Sequence, residues 1–102
     1  MSVFLVAQIK IHDRTRYSEY ESGFMDIFSK YEGKLLSVDE GAEILEGDWD
    51  YTRAVLIEFP SQELAKAWYF SEEYQSLAAH RFASSDANIV MLNGLELGKA
   101  DK

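Results

Sequence analysis

The sequence contains no cysteine, a single proline and few basic residues: ten Lys and Arg stand against eighteen Asp and Glu. The missing cysteine excludes disulfides, thiolate metal sites and cysteine nucleophiles. The formal charge of −8 argues against a nucleic-acid partner, because phosphate backbones are held by basic patches that release counterions. No apolar run approaches the ~20 residues that cross a bilayer, and no basic segment precedes a long apolar one at the N-terminus. A cytoplasmic protein with no membrane partner is expected. Also missing are a P-loop, a dinucleotide fingerprint and a G-x-S-x-G motif. The two histidines, His12 and His80, lack metal-ligand spacing, and His80 aligns with Glu73 and Ser76 on the polar side of its helix. Glu46, Asp48 and Asp50 alternate as calcium-loop ligands do, but Tyr51 and Ile57 stand where such a loop needs glycine and glutamate. Neither a metal nor a cofactor is expected.

What the chain does hold is apolar surface. Hydrophobic residues are 47% of the 102, enough to offset chain entropy and to fill one core but not two. The expectation is one domain over residues 1–94 and a loosely tied tail over 95–102. Val3, Leu5, Ala7, Ile9 and Ile11 alternate with Phe4, Val6, Gln8 and Lys10, the two-residue period of a first strand. Asp13 is placed to cap a helix on which Tyr17, Tyr20, Phe24, Ile27, Phe28 and Tyr31 share one stripe, with Gly33 as the left-handed cap. Residues 34–46 are extended but broken at Asp39-Glu40-Gly41, where a bulge or bend is expected. RAVLIEF (53–59) is the clearest strand, ended by Pro60. Ser61 opens a short helix and Ser71 a second one over about 72–83; NIVMLN (88–93) is the last strand.

Strand, helix, strand, strand, helix, strand is the order of an α+β, ferredoxin-like βαββαβ sandwich with one antiparallel sheet. Right-handed crossovers place the helices on one side of it. Yet Phe4, Val6 and Leu56 fall on the other side, where leaving them in water costs ~25 cal/mol per Å². The cheapest cover is a second copy of the same sheet, giving a homodimer with a barrel-like interior.

LEGDW (45–49), RAVLIEFPS (53–61), AKAWYFSEEYQ (65–75) and the later Arg81 together resemble the domain of unknown function 1330 family, of the dimeric α/β-barrel superfamily. The resemblance covers about residues 3–93 and implies a ferredoxin-like protomer in a sheet-to-sheet dimer. It implies no activity, since the family lacks one. The wider superfamily spans cofactor-independent monooxygenases, muconolactone isomerase and haem-handling enzymes, among which a shared fold does not choose. Glu32 and Glu40 stand where glycines are common in the family, and Phe70 where a polar residue is usual.

Several side chains are candidates for chemistry. Arg81 follows Tyr74, Leu77 and Ala78 at helical spacing and falls on the buried stripe, where a guanidinium needs an acceptor: Glu58, Asp86, backbone carbonyls that lock the last helix, or a ligand anion. Arg53 has the simpler option of surface pairing with Asp48 or Asp50. Glu58, facing the dimer interior with Gln8, is a weak candidate for a general base. Tyr20, Trp68 and Tyr74 pack by spacing into the core but also suit the aromatic wall of a pocket. The ligand-pocket candidates are thus Gln8, Tyr20, Arg53, Trp68, Tyr74 and Arg81. Phe4, Val6, Leu56 and Trp49, an indole in an acidic turn, are the candidates for dimer contact. Two functions fit: a homodimeric domain that binds a small apolar or weakly anionic molecule, as a binder or a cofactor-independent enzyme, or a structural module that only dimerises.

Overall fold

The computed structural model describes residues 2–95. The elements follow in the order β1 (Val3–Ile11), α1 (Arg14–Phe28), β2 (Lys34–Asp39), β3 (Arg53–Phe59), α2 (Gln62–Tyr69), α3 (Glu72–Ser84) and β4 (Ser85–Asn93). The sheet order is β2-β3-β1-β4 and every neighbouring pair is antiparallel. This is the ferredoxin-like α+β sandwich expected from the element order. No helix among the described residues is long and apolar enough to cross a membrane.

The helices begin where short polar side chains capture free backbone donors. Asp13 accepts from the Arg16 N–H at 3.1 Å, Ser61 from Leu64 at 3.2 Å and Ser71 from Tyr74 at 3.1 Å. The end of α1 differs from the sequence expectation. A 3-10 turn, Ser29–Tyr31, follows it, and the left-handed residue is Glu32, with φ of 65°. Gly33 serves a different need: a Cβ there would lie 2.4 Å from the Phe28 ring. The chain at Gly33 therefore passes flush against a ring that is itself fully buried.

In β2 the register slips between Leu35 and Ser37, so the bulge falls at Leu36. The strand then stops at Asp39, whose carboxylate accepts from the Gly41 N–H at 2.7 Å and makes the expected bend. β4 begins at Ser85, three residues ahead of the expected 88, because α3 passes into it with no loop. That junction is held tightly. The Ser84 carbonyl accepts from the His12 and Asp13 N–H groups, and the Ser84 and Ser85 hydroxyls donate back to the carbonyls of His80 and Arg81.

The core lies between helices and sheet. Val3, Leu5, Ala7 and Ile9 of β1 and Ile57 and Phe59 of β3 meet Tyr17, Tyr20 and Phe28 of α1, Trp68 of α2, and Tyr74 and Ala78 of α3. The aromatic rings pack edge-on and tilted, as their quadrupoles favour. The opposite sheet face carries Phe4, Val6, Gln8, Leu56 and Glu58, with Val90 and Leu92 of β4 more than half exposed. Phe70, at the end of α2, is 69% exposed and touches only its neighbour ring Tyr69 among aromatics. Of the tail expected over 95–102, residues 96–102 lie outside the described part of the chain.

Candidate functional site

Between the helices and the sheet the packing leaves a cavity of about 210 Å³. Its floor is the helix-side row of the sheet, including Leu5, Ala7, Val55 and Ile57, and its walls are aromatic side chains of α1, α2 and α3. Met25, Leu35 and Val38, all substantially exposed, form the rim between α1 and the β2 edge. The arrangement follows from the sequence stripe: α1 turns Tyr17, Tyr20 and Phe24 inward at helical spacing, and the Ser71 cap sets α3 so that Tyr74 and Arg81 fall on the same side.

Tyr20, Arg53, Trp68, Tyr74 and Arg81 all line this cavity. Gln8 does not. It lies on the opposite sheet face, cross-strand from Ala54 and Asn88. Glu58 is on that same face, paired in register with Phe4 and Lys34, so it is separated from the cavity by the sheet. The face pattern of β1 and β3 already separated these two residues from the aromatic wall, since alternate residues on a strand point to opposite sides.

The two arginines are held in different ways. The Arg53 guanidinium pairs with Glu21 and Glu40, each at 2.9 Å, and lies over the Tyr17 ring at 5.5 Å. Its side chain is only 15% exposed, so the expected surface pairing with Asp48 or Asp50 is replaced by one in which the guanidinium is largely buried while Glu21 and Glu40 stay partly exposed. Asp50 instead pairs with Lys10, 2.7 Å away. Glu40 also bonds Arg14 at 2.9 Å, which ties the β2–β3 connection to α1. Hydrogen bonds from Arg14 and then Arg53 hold the Glu40 carboxyl below its ordinary range.

Arg81 is 4% exposed and pairs with neither Glu58 nor Asp86. Glu58 is on the far side of the sheet, and Asp86 sits opposite Lys10 in the β1–β4 register. The guanidinium rests instead against rings, 5.8 Å from the Tyr20 centroid and 4.8 Å from that of Phe82. Beside it the Tyr20 and Tyr74 hydroxyls share a buried hydrogen bond of 2.7 Å. Burial pushes the Tyr20 hydroxyl well above its ordinary value, and Tyr17 rises for the same reason.

Among the described residues, the buried side-chain polar atoms left without a partner are Nε of Arg53, Nε1 of Trp68, and Nε and Nη2 of Arg81. All are N–H donors on side chains of the cavity wall. His80, expected in solvent, is instead half-buried at the α1–α3 seam, where it accepts from Arg16 Nε at 2.7 Å. Trp49 is half-buried against Tyr51, with ring centroids 5.1 Å apart. Sequence reasoning missed Glu21 and Glu40, whose only signal was their place one turn beyond Tyr17 and at the β2 bend.

The sequence model of the family described as "Domain of unknown function (DUF1330)" matches residues 2–95. No curated protein matches the chain. Among solved structures, a protein of unknown function from Rhodopseudomonas palustris is similar with a TM-score of 0.80 at 17% identity, over 93% of this chain and 83% of that one. A dimeric ferredoxin-like protein of unknown function from Jannaschia sp. CCS1 gives 0.68 at 10% identity, over 92% and 100%. SnoaB, a cofactor-independent oxygenase from Streptomyces nogalater, gives 0.60 at 15% identity, over 93% and 94%. Likenesses at such identities establish the fold and leave ligand and reaction open.

Proposed function

The chain belongs to the domain of unknown function 1330 family, and from that premise we propose that it is a homodimeric domain binding a small, largely apolar molecule between its helices and its sheet. The observation that carries the reading is the cavity of about 210 Å³ with its aromatic walls. Protein interiors are close-packed, and voids larger than a water are few. An apolar hole of about 150 Å³ already holds benzene, so this one suits a substituted or fused ring. Keeping it open costs the dispersion contacts that close packing would supply, a cost that a bound molecule recovers.

The homodimer is supported by the helix-free sheet face. Phe4, Val6, Leu56, Val90 and Leu92 make it apolar, and covering them with a second copy removes that area from water at ~25 cal/mol per Å². The neighbour from Jannaschia, of the same fold, is described as dimeric. In such a dimer Gln8 and Glu58 lie between the two sheets, apart from the ligand. The catalytic extension of the reading is cofactor-independent chemistry on the bound molecule, the class of the oxygenase neighbour. The proton-handling group would then be the Tyr20–Tyr74 pair.

Methyl NMR with toluene as the probe tests the binding site. The methyls of Ile57 and Ile89, both in the cavity wall, are expected to shift, while those of Val6 and Leu56 stay still. Ala7→Met, which pushes extra atoms into the cavity, should abolish the shifts in a chain that remains folded. Silent Ile57 and Ile89 methyls at saturating toluene would end the binding reading and leave dimerisation as the domain's remaining role.

A further inference from the structure

Charge is distributed unevenly around the cavity. Arg53 and Arg14 are matched by Glu21 and Glu40, two cations against two carboxylates within 2.9 Å contacts. Arg81 has no carboxylate partner among the described residues, although it is 4% exposed. Removing a charge from water without a counter-charge is among the most expensive things a fold does. The Tyr20 and Phe82 rings offset part of that cost through their π faces, but neither neutralises the charge. The cavity therefore carries one unmatched positive charge inside a protein whose net charge is −8.

The hydrogen-bonding inventory points the same way. The four buried atoms without a partner, on Arg53, Trp68 and Arg81, are all donors, and no buried side-chain acceptor among the described residues lacks one. The Tyr20–Tyr74 pair adds another donor: two hydroxyls share one hydrogen bond, which uses one of their two protons. A molecule that completes this wall brings acceptors and one negative charge on an apolar body.

We propose that the ligand is a monoanion, an aromatic carboxylate or its equivalent, whose charged end is held by Arg81 and the Tyr20–Tyr74 pair while its ring lies among Phe24, Trp68 and the sheet floor. The guanidinium fork matches a carboxylate in a way that a lysine ammonium does not. This rests on the binding reading above and narrows it to a chemical class.

Calorimetric titration with 2-naphthoate and with 2-naphthamide, its neutral counterpart of nearly the same shape, tests the class in the unaltered protein. Naphthoate is expected to bind at least tenfold more tightly. In Arg81→Met the two should bind alike, with the amide affinity retained. Equal affinities in the unaltered protein, or a preference that survives Arg81→Met, would overturn the anion assignment. If that variant does not fold, the carboxylate–amide comparison in the unaltered chain decides the matter alone. Binding of toluene without a carboxylate preference refutes this inference and spares the cavity reading, whereas no binding of any of the three probes refutes both.

Discussion

The hydroxyl of Tyr20 lies 2.7 Å from that of Tyr74, so α1 and α3 are joined by a hydrogen bond inside the aromatic core. Tyr20→Phe should cost about 1 kcal/mol, the usual net worth of one such bond. For a domain of this size that is a fall in Tm of roughly 4–8 °C. Tyr74→Phe should cost a similar amount, and the double variant should fall short of the sum because both remove the same bond. Fully additive losses would mean the hydroxyls do not cooperate. The same burial gives a pH signature. Tyr20 is pushed well above its ordinary 10.0, so the unfolded chain loses that proton first and stability should decline as pH rises past 10. Thermal melts of the protein and of Tyr20→Phe between pH 8 and 11 should converge as alkalinity increases.

Gly33→Ala should destabilise by about 1–3 kcal/mol, the range for forcing extra atoms into a packed core. The new methyl would meet the Phe28 ring, which has no exposed side toward which to yield. Glu32→Gly is the informative companion: with φ of 65° at that position, glycine should be neutral or stabilising by a few tenths to 1 kcal/mol. Denaturant titrations that rank the two variants in the opposite order would refute the assignment of strain to Glu32 and of crowding to Gly33.

Glu40 joins Arg14 of α1 to Arg53 of β3 from the bend after β2. Its carboxyl is held below its ordinary 4.5, first by Arg14 and then by Arg53. A depressed folded value means the stabilisation is complete above 4.5 and disappears as pH falls through the folded value. The side chain is 38% exposed, so the effect is screened and should not exceed about 1 kcal/mol. Glu40→Gln should therefore be slightly less stable than the parent at pH 7, with the gap narrowing as pH falls below 4.5. A gap that is the same at every pH would show that the variant loses something other than charge.

Leu56→Asp places a charge on the helix-free sheet face, beside Val6 in the β1–β3 register. A homodimer built on that face should dissociate, because an unpaired carboxylate buried between two sheets costs more than the leucine contributed. Sedimentation at micromolar concentration should show the parent as a dimer and the variant as a folded monomer. A parent chain that sediments as a monomer would remove the dimer from the proposed function.

What could be read in advance from the sequence divides along the range of the interactions. The caps at Asp13, Ser61 and Ser71 were legible because each is a bond to a backbone group three residues on. The strand faces were legible because alternation fixes them wherever one side is buried. The aromatic wall was legible as a helical stripe. The partners of the two buried arginines were not. Arg53 finds Glu21 across 32 positions of sequence, and nothing local distinguishes that carboxylate from the nearer Asp48 and Asp50. The freedom of Arg81 from any carboxylate among the described residues was only half visible: alternation already set Glu58 on the other side of the sheet, but Asp86 is drawn away only by its register opposite Lys10. Gly33 misled for a different reason: glycine can serve a turn or a close approach, and composition does not say which.

The direct passage of α3 into β4 makes the position of Arg81 a matter of counting. Arg81 stands four positions before Ser85, where β4 begins. One residue more or fewer in that interval would swing Arg81 by about 100° around the helix, or slide β4 by one place and turn Ile89 and Met91 to the wrong face. Residues 42–49, by contrast, belong to no helix or strand and absorb length at small entropic cost. Among descendants of this chain, insertions should accumulate in the acidic connection, while the helix–strand junction admits substitutions but no change of length.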